Sequence, residues 1–178
     1  MKTAIIITFH NYEKEININA FINYCNKVKS IEFCFVNNDS KDNTNSLLKE
    51  VKEQCDNVSV VNIKKFKSDM SAVRSGARYM FNQFKLNHLG YVNTNSLNKQ
   101  NHGLSVVMRA ISKHQEAIIE YDKEILKKHN RKKTLFQKLF SVSEYLLKLE
   151  LELQVESLYC QSEFENDKNE SVSYKMKS

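Results

Sequence analysis

Residues 33–44 read FCFVNNDSKDNT, an apolar run that stops at a polar turn and opens a helix. Ile31, Phe33, Cys34, Phe35 and Val36 are the β-branched, aromatic and small apolar residues of a strand covered on both faces, as in a parallel sheet. Asn37, Asn38, Asp39 and Ser40 supply turn chemistry and a cap, and Leu47, Leu48 and Val51 follow at helical spacing. Open α/β sheets bind ligands where the carboxyl end of a strand runs into a helix amino terminus, because strand ends and free backbone N–H groups converge there. Function is therefore sought at this edge.

Working outward, the pattern alternates. Residues 3–9 (TAIIITF) form a continuous apolar strand ended by His10, Asn11 and Tyr12. A helix follows over 15–28, with Ile16, Ile18, Phe21, Ile22 and Cys25 near the helical period. The helix after the opening stretch covers 42–54, and 57–63 (NVSVVNI) reads as a third strand. Residues 68–84 read as a helix capped by Ser68, with Met70, Val73, Ala77, Met80, Phe81 and Phe84 facing inward. Residues 89–92 give a fourth strand ending at Asn93-Thr94-Asn95. Strands separated by helices over so short a length predict crossover connections and a mostly parallel sheet flanked by helices, an α/β, Rossmann-like layer of the nucleotide-binding type.

The second half predicts a helix over 103–114, a short strand at 117–121 and a basic run over 127–138 (KKHNRKKTLFQK). Leu135, Leu139, Val142, Leu146, Leu149 and Leu153 recur at helical spacing over 135–158, which predicts one or two amphipathic helices. These either pack on the sheet or, with the basic run beside them, meet anionic lipid headgroups. The segment 165–178 is polar and aperiodic, the composition of a disordered tail. The expected organisation is an α/β core over 1–121, a helical extension of the same domain over 122–164, and the tail.

Composition narrows the function classes. At 178 residues and 41% hydrophobic, the chain suits one domain with a real core. No apolar run of about 18 residues exists to span a bilayer, and Met1-Lys2-Thr3 leads directly into a strand, so a cytoplasmic protein is expected, peripheral at most to the inner face of a membrane. The net charge is +6, yet only Arg74, Arg78, Arg109 and Arg131 are arginines among 27 basic residues. A lysine-rich surface without interleaved aromatics argues against nucleic acid as a partner. Cys25, Cys34, Cys55 and Cys160 are too widely spaced for a zinc clip and read as buried thiols. With no proline and three glycines, neither a Walker loop nor a GxGxxG turn can be present.

A resemblance enters at the strand ends. The succession Thr8-Phe9-His10-Asn11, then Val36-Asn37-Asn38-Asp39-Ser40-Lys41-Asp42-Asn43-Thr44, then Ser68-Asp69-Met70-Ser71-Ala72-Val73-Arg74-Ser75-Gly76, then Gly90-Tyr91-Val92-Asn93-Thr94-Asn95 resembles the family-2 glycosyltransferases of the GT-A fold. Within that family it is most similar to the branch that moves sugars from nucleotide donors onto polyprenyl phosphate. A fainter echo of that branch lies at Tyr159-Cys160-Gln161-Ser162-Glu163-Phe164. The resemblance implies a UDP- or GDP-linked sugar as ligand, a lipid-phosphate or polysaccharide acceptor, and Mg²⁺ or Mn²⁺ held by an Asp-x-Asp pair. It places Phe9, Asn11, Glu13, Asn37, Asn38, Asp39, Arg74 and Asn93 around the nucleotide sugar and Asn95 at the metal. A partner protein in a polysaccharide pathway belongs to the same expectation.

The departures fall on the chemistry. Asn93 and Asn95 stand where the family has its two metal-binding aspartates, and an amide oxygen brings no negative charge to a hard cation. Asn37 and Asn38 replace the paired acids of the turn, Asp69 replaces a lysine that would face the diphosphate, and Thr8 replaces a proline. Asn37 and Asn38 read equally as base-edge contacts or as an Asx turn, and Arg74 as a phosphate clamp or a surface ion pair. Ser40 and Asp42 read as capping residues or ligand contacts, Asn93 and Asn95 as site residues or turn formers, and His10 as a pyrophosphate contact or a packed ring. Glu13 and Asp39 are the candidate acids. Two functions follow: a glycosyltransferase, or a GT-A remnant that binds a nucleotide or serves as a scaffold. The chain ends where the resemblance places the remaining acceptor-side elements, which favours the second.

Overall fold

The computed structural model describes residues 2–99, 103–128 and 139–149. The chain clusters into two compact units, Met1–Ser143 and Glu144–Ser178. The basic run beyond residue 128, the Tyr159–Phe164 echo and the expected tail at 165–178 lie outside the described residues.

The first unit is built on five parallel strands, β1 (Lys2–Phe9), β2 (Ile31–Asn38), β3 (Val58–Ile63), β4 (Leu86–Asn93) and β5 (Leu139–Ser141), in the order β3-β2-β1-β4-β5. Helices α1 (Ile18–Lys27), α2 (Thr44–Glu53) and α3 (Asp69–Gln83) connect the first four strands. After β4 come α4 (Thr94–Lys99), α5 (Leu104–Lys113) and α6 (Gln115–Lys128). This is the α/β, Rossmann-like arrangement that the alternation of apolar runs and helical periods predicts. The chain lays down β1, β2 and β3 in one direction and then returns across the sheet to place β4 on the other side of β1. That reversal makes the β1/β4 boundary a topological switch point.

Burial explains why the runs are continuous rather than alternating. Every residue of β2 is buried, because helices cover both faces of the sheet. Ala4, Ile6, Cys34 and Val36 point to one face and pack with Ala72, Val73, Ala77 and Met80 of α3. Phe9, Phe21, Phe33 and Phe35 form an aromatic cluster, with neighbouring ring centroids 5.5–6.4 Å apart. Each such side chain contributes about 1.5–3 kcal/mol by leaving water. Gly76 sets how closely α3 approaches: a Cβ there would lie 2.7 Å from Val36 Cγ2 and 3.0 Å from Ile6 Cγ2. At the opposite edge, the Asn57 amide donates to the carbonyls of Cys25, Val28 and Ile31 at 3.0–3.1 Å, tying the end of α1 to the start of β2 and β3.

Two expectations are corrected. Residues 117–121 are not a strand; they lie within α6. Ala117, Ile118 and Ile119 form an apolar triplet, but Gln115, Glu116 and Glu120 around them are good helix formers and no turn residue bounds the run. The helical reading of 135–158 also fails at Leu139–Ser141, which pairs in parallel with Leu89, Gly90 and Tyr91 as the edge strand β5. Residues 142–149 are helical. Smaller differences remain: β4 begins at Leu86, ahead of the expected residue 89, since Asn87 and His88 interrupt its apolar pattern; the short helix α4 follows its end; and Met70, expected to face inward on α3, is 40% exposed.

Candidate functional site

The loops after β1 and β2 are locked to each other at the carboxyl edge of the sheet. Asn11 and Asp39 adopt φ of 52° and 57°, the left-handed region that Asn and Asp tolerate better than other side chains. Each allows its loop to turn back over a strand end. Asn11 N–H donates to Ser40 Oγ at 3.0 Å, and Asn11 Oδ1 accepts from Lys41 N–H at 2.8 Å. Tyr12 N–H donates to Thr44 Oγ1 at 2.7 Å and Glu13 N–H to Asp42 Oδ2 at 3.1 Å, while Glu13 Oε2 accepts from Asn43 N–H at 2.7 Å. Ser40 and Asp42 therefore bind the β1 loop. The Asn43 side chain at the N-cap position of α2 makes no capping bond, whereas Asp42 Oδ1 accepts from both the N–H and the hydroxyl of Thr44. Burial alone would raise the Asp42 pKa, but these hydrogen bonds from Thr44 and Glu13 hold it below the usual carboxylate value.

A second cluster engages both turn amides. Asn37 Nδ2 donates to Asn62 Oδ1 at 2.7 Å and its Oδ1 accepts from Ser40 N–H at 3.3 Å. Asn38, only 2% exposed, pairs with the backbone of Lys67 in both senses, Nδ2 to Lys67 O at 2.7 Å and Lys67 N–H to Oδ1 at 3.0 Å. His10 Nδ1 lies 2.8 Å from Asn38 O, and the His10 ring meets the Phe66 ring edge-on at a centroid distance of 4.7 Å. Asp39 closes this corner: Oδ1 pairs with Lys41 Nζ at 2.7 Å and Oδ2 accepts from Phe66 N–H at 3.2 Å. The hydrogen bond from Lys41 is the main reason its carboxyl lies below the usual range. Phe66 is nevertheless 51% exposed, an aromatic ring presented at the rim of the strand ends.

The third cluster lies on the other side of β1. The two oxygens of Asp69, the first residue of α3, accept separately from Asn93 Nδ2 at 2.6 Å and Asn95 Nδ2 at 2.9 Å. Asn93 Oδ1 accepts from Asn95 N–H at 3.1 Å and lies 3.5 Å from Thr8 Oγ1, and the Thr94 hydroxyl donates to Thr8 O at 2.8 Å. Asn93 ends β4 and Asn95 is in the first turn of α4, so the Asn-Thr-Asn triplet straddles the switch point. The Mg²⁺ or Mn²⁺ ion implied by the resemblance does not fit these three side chains. They offer one carboxylate, whose oxygens already receive an amide N–H each, and the Asn93 oxygen is spent on Asn95 and Thr8. Among the described residues, no three of the His, Cys, Asp and Glu side chains cluster as a metal-binding group.

The structure thus brings Asn11, Glu13, Asn37, Asn38, Asp39 and Asn93 to one sheet edge, with Asn95 beside them. Phe9 is elsewhere: its ring is 1% exposed in the aromatic core, against Tyr12, Phe21 and Phe35. Arg74 is exposed on α3, on the side away from its buried residues. Ser68 occupies the N-cap position of α3, but its hydroxyl donates to Ser71 Oγ instead of accepting from the backbone. Sequence reasoning missed Asn62, Phe66 and Lys67 as members of the edge. A lone aromatic inside the basic turn Lys64-Lys65-Phe66-Lys67 was the available signal for the last two.

No protein-family model matches this chain, and no curated protein matches it. Among solved structures it is similar to Staphylococcus aureus TarS 1-349, at 17% identity and a TM-score of 0.41 over 65% of this chain and 33% of that one. The complexes of TarS 1-349 with UDP-GlcNAc and with UDP match at 17% identity with TM-scores of 0.41 and 0.42. The chain spans about a third of the length of these proteins.

Proposed function

We propose that this chain is the donor-binding part of a GT-A-type glycosyltransferase and takes a UDP- or GDP-linked sugar at the carboxyl ends of β1, β2 and β4. The observation that carries the reading is the convergence of those three ends at the β1/β4 switch point, where backbone and side-chain groups of His10, Asn38, Thr8 and Asn93 are hydrogen-bonded or adjacent across the sheet. The motif resemblance supports the ligand class, and the topology supports the place. In the enzyme reading, an acceptor oxygen forms the new bond to the anomeric carbon as the bond to the nucleoside diphosphate breaks; the diphosphate leaves with the bonding pair, and a hydroxyl acceptor gives its proton to solvent.

One observation favours a second reading, binding without transfer. The oxygens of Asp69, the one carboxylate among these three side chains, already accept an N–H each from Asn93 and Asn95, which leaves this corner poorly furnished for a cation that would neutralise a departing diphosphate. Calorimetric titration of the full chain with UDP, GDP and their sugars, in EDTA and in Mn²⁺, separates the cases. Saturable binding of a nucleotide, with hydrogen-exchange protection gained at residues 93–95, supports the crevice as the site. Tightening by Mn²⁺ together with sugar turnover supports the enzyme, and indifference to metal supports binding alone. Absence of heat with every nucleotide sinks both readings.

A further inference from the structure

The solvent side of α3 carries a feature that the strand-end site does not use. Lys67, Ser68, Ser71, Arg74, Ser75 and Arg78 line an open groove of about 490 Å³. Positions 71, 74, 75 and 78 share one helical stripe, opposite the buried Ala72, Val73, Gly76, Ala77 and Met80. Every lining residue is a cation or a hydroxyl. Their polar groups are linked: Lys67 Nζ donates to Ser75 Oγ at 3.2 Å, the Ser75 hydroxyl to Ser71 O at 3.0 Å, and the Ser68 hydroxyl to Ser71 Oγ at 2.9 Å. An ammonium with three N–H groups thereby keeps two beyond the one spent on Ser75. The nearest acid in sequence, Asp69, spends its oxygens on Asn93 and Asn95, and it is not among the residues lining the groove. Three positive charges are concentrated there beside the amino terminus of a 15-residue helix, whose dipole also favours an anion.

We propose that this groove is a phosphate-binding site that works without a divalent cation. Its ligand class is a phosphate-bearing molecule with at least two phosphoryl groups or closely spaced headgroups. Two forked guanidinium groups and an ammonium, spread over a volume typical of a small-molecule site, suit several tetrahedral oxyanions better than a single carboxylate. The groove begins at Lys67, whose backbone holds Asn38, so a ligand can extend from it toward the strand ends. The inference does not depend on a nucleoside being recognised, and it stands if the nucleotide-sugar reading fails. Soluble diphosphate and anionic lipid headgroup share this chemistry, and the experiment separates them.

The full chain is titrated calorimetrically with inorganic pyrophosphate in EDTA and in Mn²⁺. In parallel it is sedimented with vesicles of phosphatidylglycerol and phosphatidylcholine at low and high salt. The variants are Lys67→Ala with Arg78→Ala, and a charge-matched control, Lys49→Ala with Lys52→Ala, on the exposed side of α2. Circular dichroism confirms that both fold. Pyrophosphate binding that is equal in EDTA and Mn²⁺, weakened at least tenfold by the groove variant and unchanged in the control, establishes a soluble ligand. Salt-sensitive pelleting lost only in the groove variant, without pyrophosphate binding, establishes a lipid headgroup. Equal weakening in the control, a requirement for Mn²⁺, or neither form of binding overturns the proposal.

Discussion

Converting both amides at the switch point to acids, Asn93→Asp with Asn95→Asp, tests the Asp69 cluster directly. In the present arrangement one carboxylate accepts two N–H groups at 2.6 and 2.9 Å. The double substitution removes both charge-assisted bonds, each contributing about 1.5–3 kcal/mol. It also replaces them with like charges about 3 Å apart, a repulsion of about 1–6 kcal/mol per pair between the limits of bulk water and a protein surface. The side chains are half-buried and can separate, so the lower ends apply. A loss of about 4–6 kcal/mol in EDTA at pH 7.5 is expected, a large part of the whole stability of an ordinary domain. Crowded carboxyl groups bind protons more tightly in the folded than in the unfolded state. The deficit therefore shrinks as the pH is lowered toward 5. Urea unfolding at both pH values, in EDTA and in millimolar Mn²⁺, reads all of this. The cation should stabilise the variant and leave the wild type unmoved, and adding Asp69→Lys should recover most of the loss. A variant that unfolds at the wild-type midpoint in EDTA would show that Asp69 does not hold these amides.

Three further outcomes are expected. Gly76→Ala gains about 1 kcal/mol of helix propensity but drives a methyl group into the stiff side chains of Val36 and Ile6, so the urea midpoint should fall by the equivalent of about 1–2 kcal/mol. Asn57→Ala leaves the carbonyls of Cys25, Val28 and Ile31 without their shared donor in a buried corner, and should cost about 2–3 kcal/mol by the same measurement. The pKa values of Asp39 and Asp42 are depressed on folding, so the stability they contribute is present above the ordinary carboxylate pKa of about 4 and is lost as the pH falls through their folded values. Asp42→Asn should accordingly flatten the acid limb of a stability-against-pH curve, and an unchanged limb would remove Asp42 from that role.

What the sequence disclosed follows from where each signal comes from. Strands β1 and β2 are legible because helices on both faces demand an unbroken apolar run, and α3 because Val73, Ala77 and Met80 repeat at its period. Strand β5 is hidden because Leu139 and Val142 also satisfy a helical spacing, and only pairing with β4 decides between the two. At the site, the polar strand ends could be located but their partners could not. Asn38 is held by a backbone, that of Lys67, and a backbone has the same groups at every position. The resemblance places Phe9 at the site, but the alternation of side chains along β1 sends its ring to the aromatic core. The thiol reading of the described cysteines agrees with their surroundings: Cys25, Cys34 and Cys55 are free and buried, and burial pushes Cys34 up to about 12.

The three departures at Asp69, Asn93 and Asn95 look like separate losses when met along the chain. In space they are one arrangement. Where the motif that the sequence resembles has a cation and two acids, this chain has an acid and two amides. A carboxylate has only acceptors, and an amide carries the donors that satisfy it. Acids at 93 and 95 would instead crowd three like charges with Asp69 at a half-buried strand end. The combination present escapes that crowding, and the cluster is a satisfied polar network. Any phosphate brought to this edge must then find its positive charge elsewhere, and the cations along α3 begin only two residues before Asp69, at Lys67.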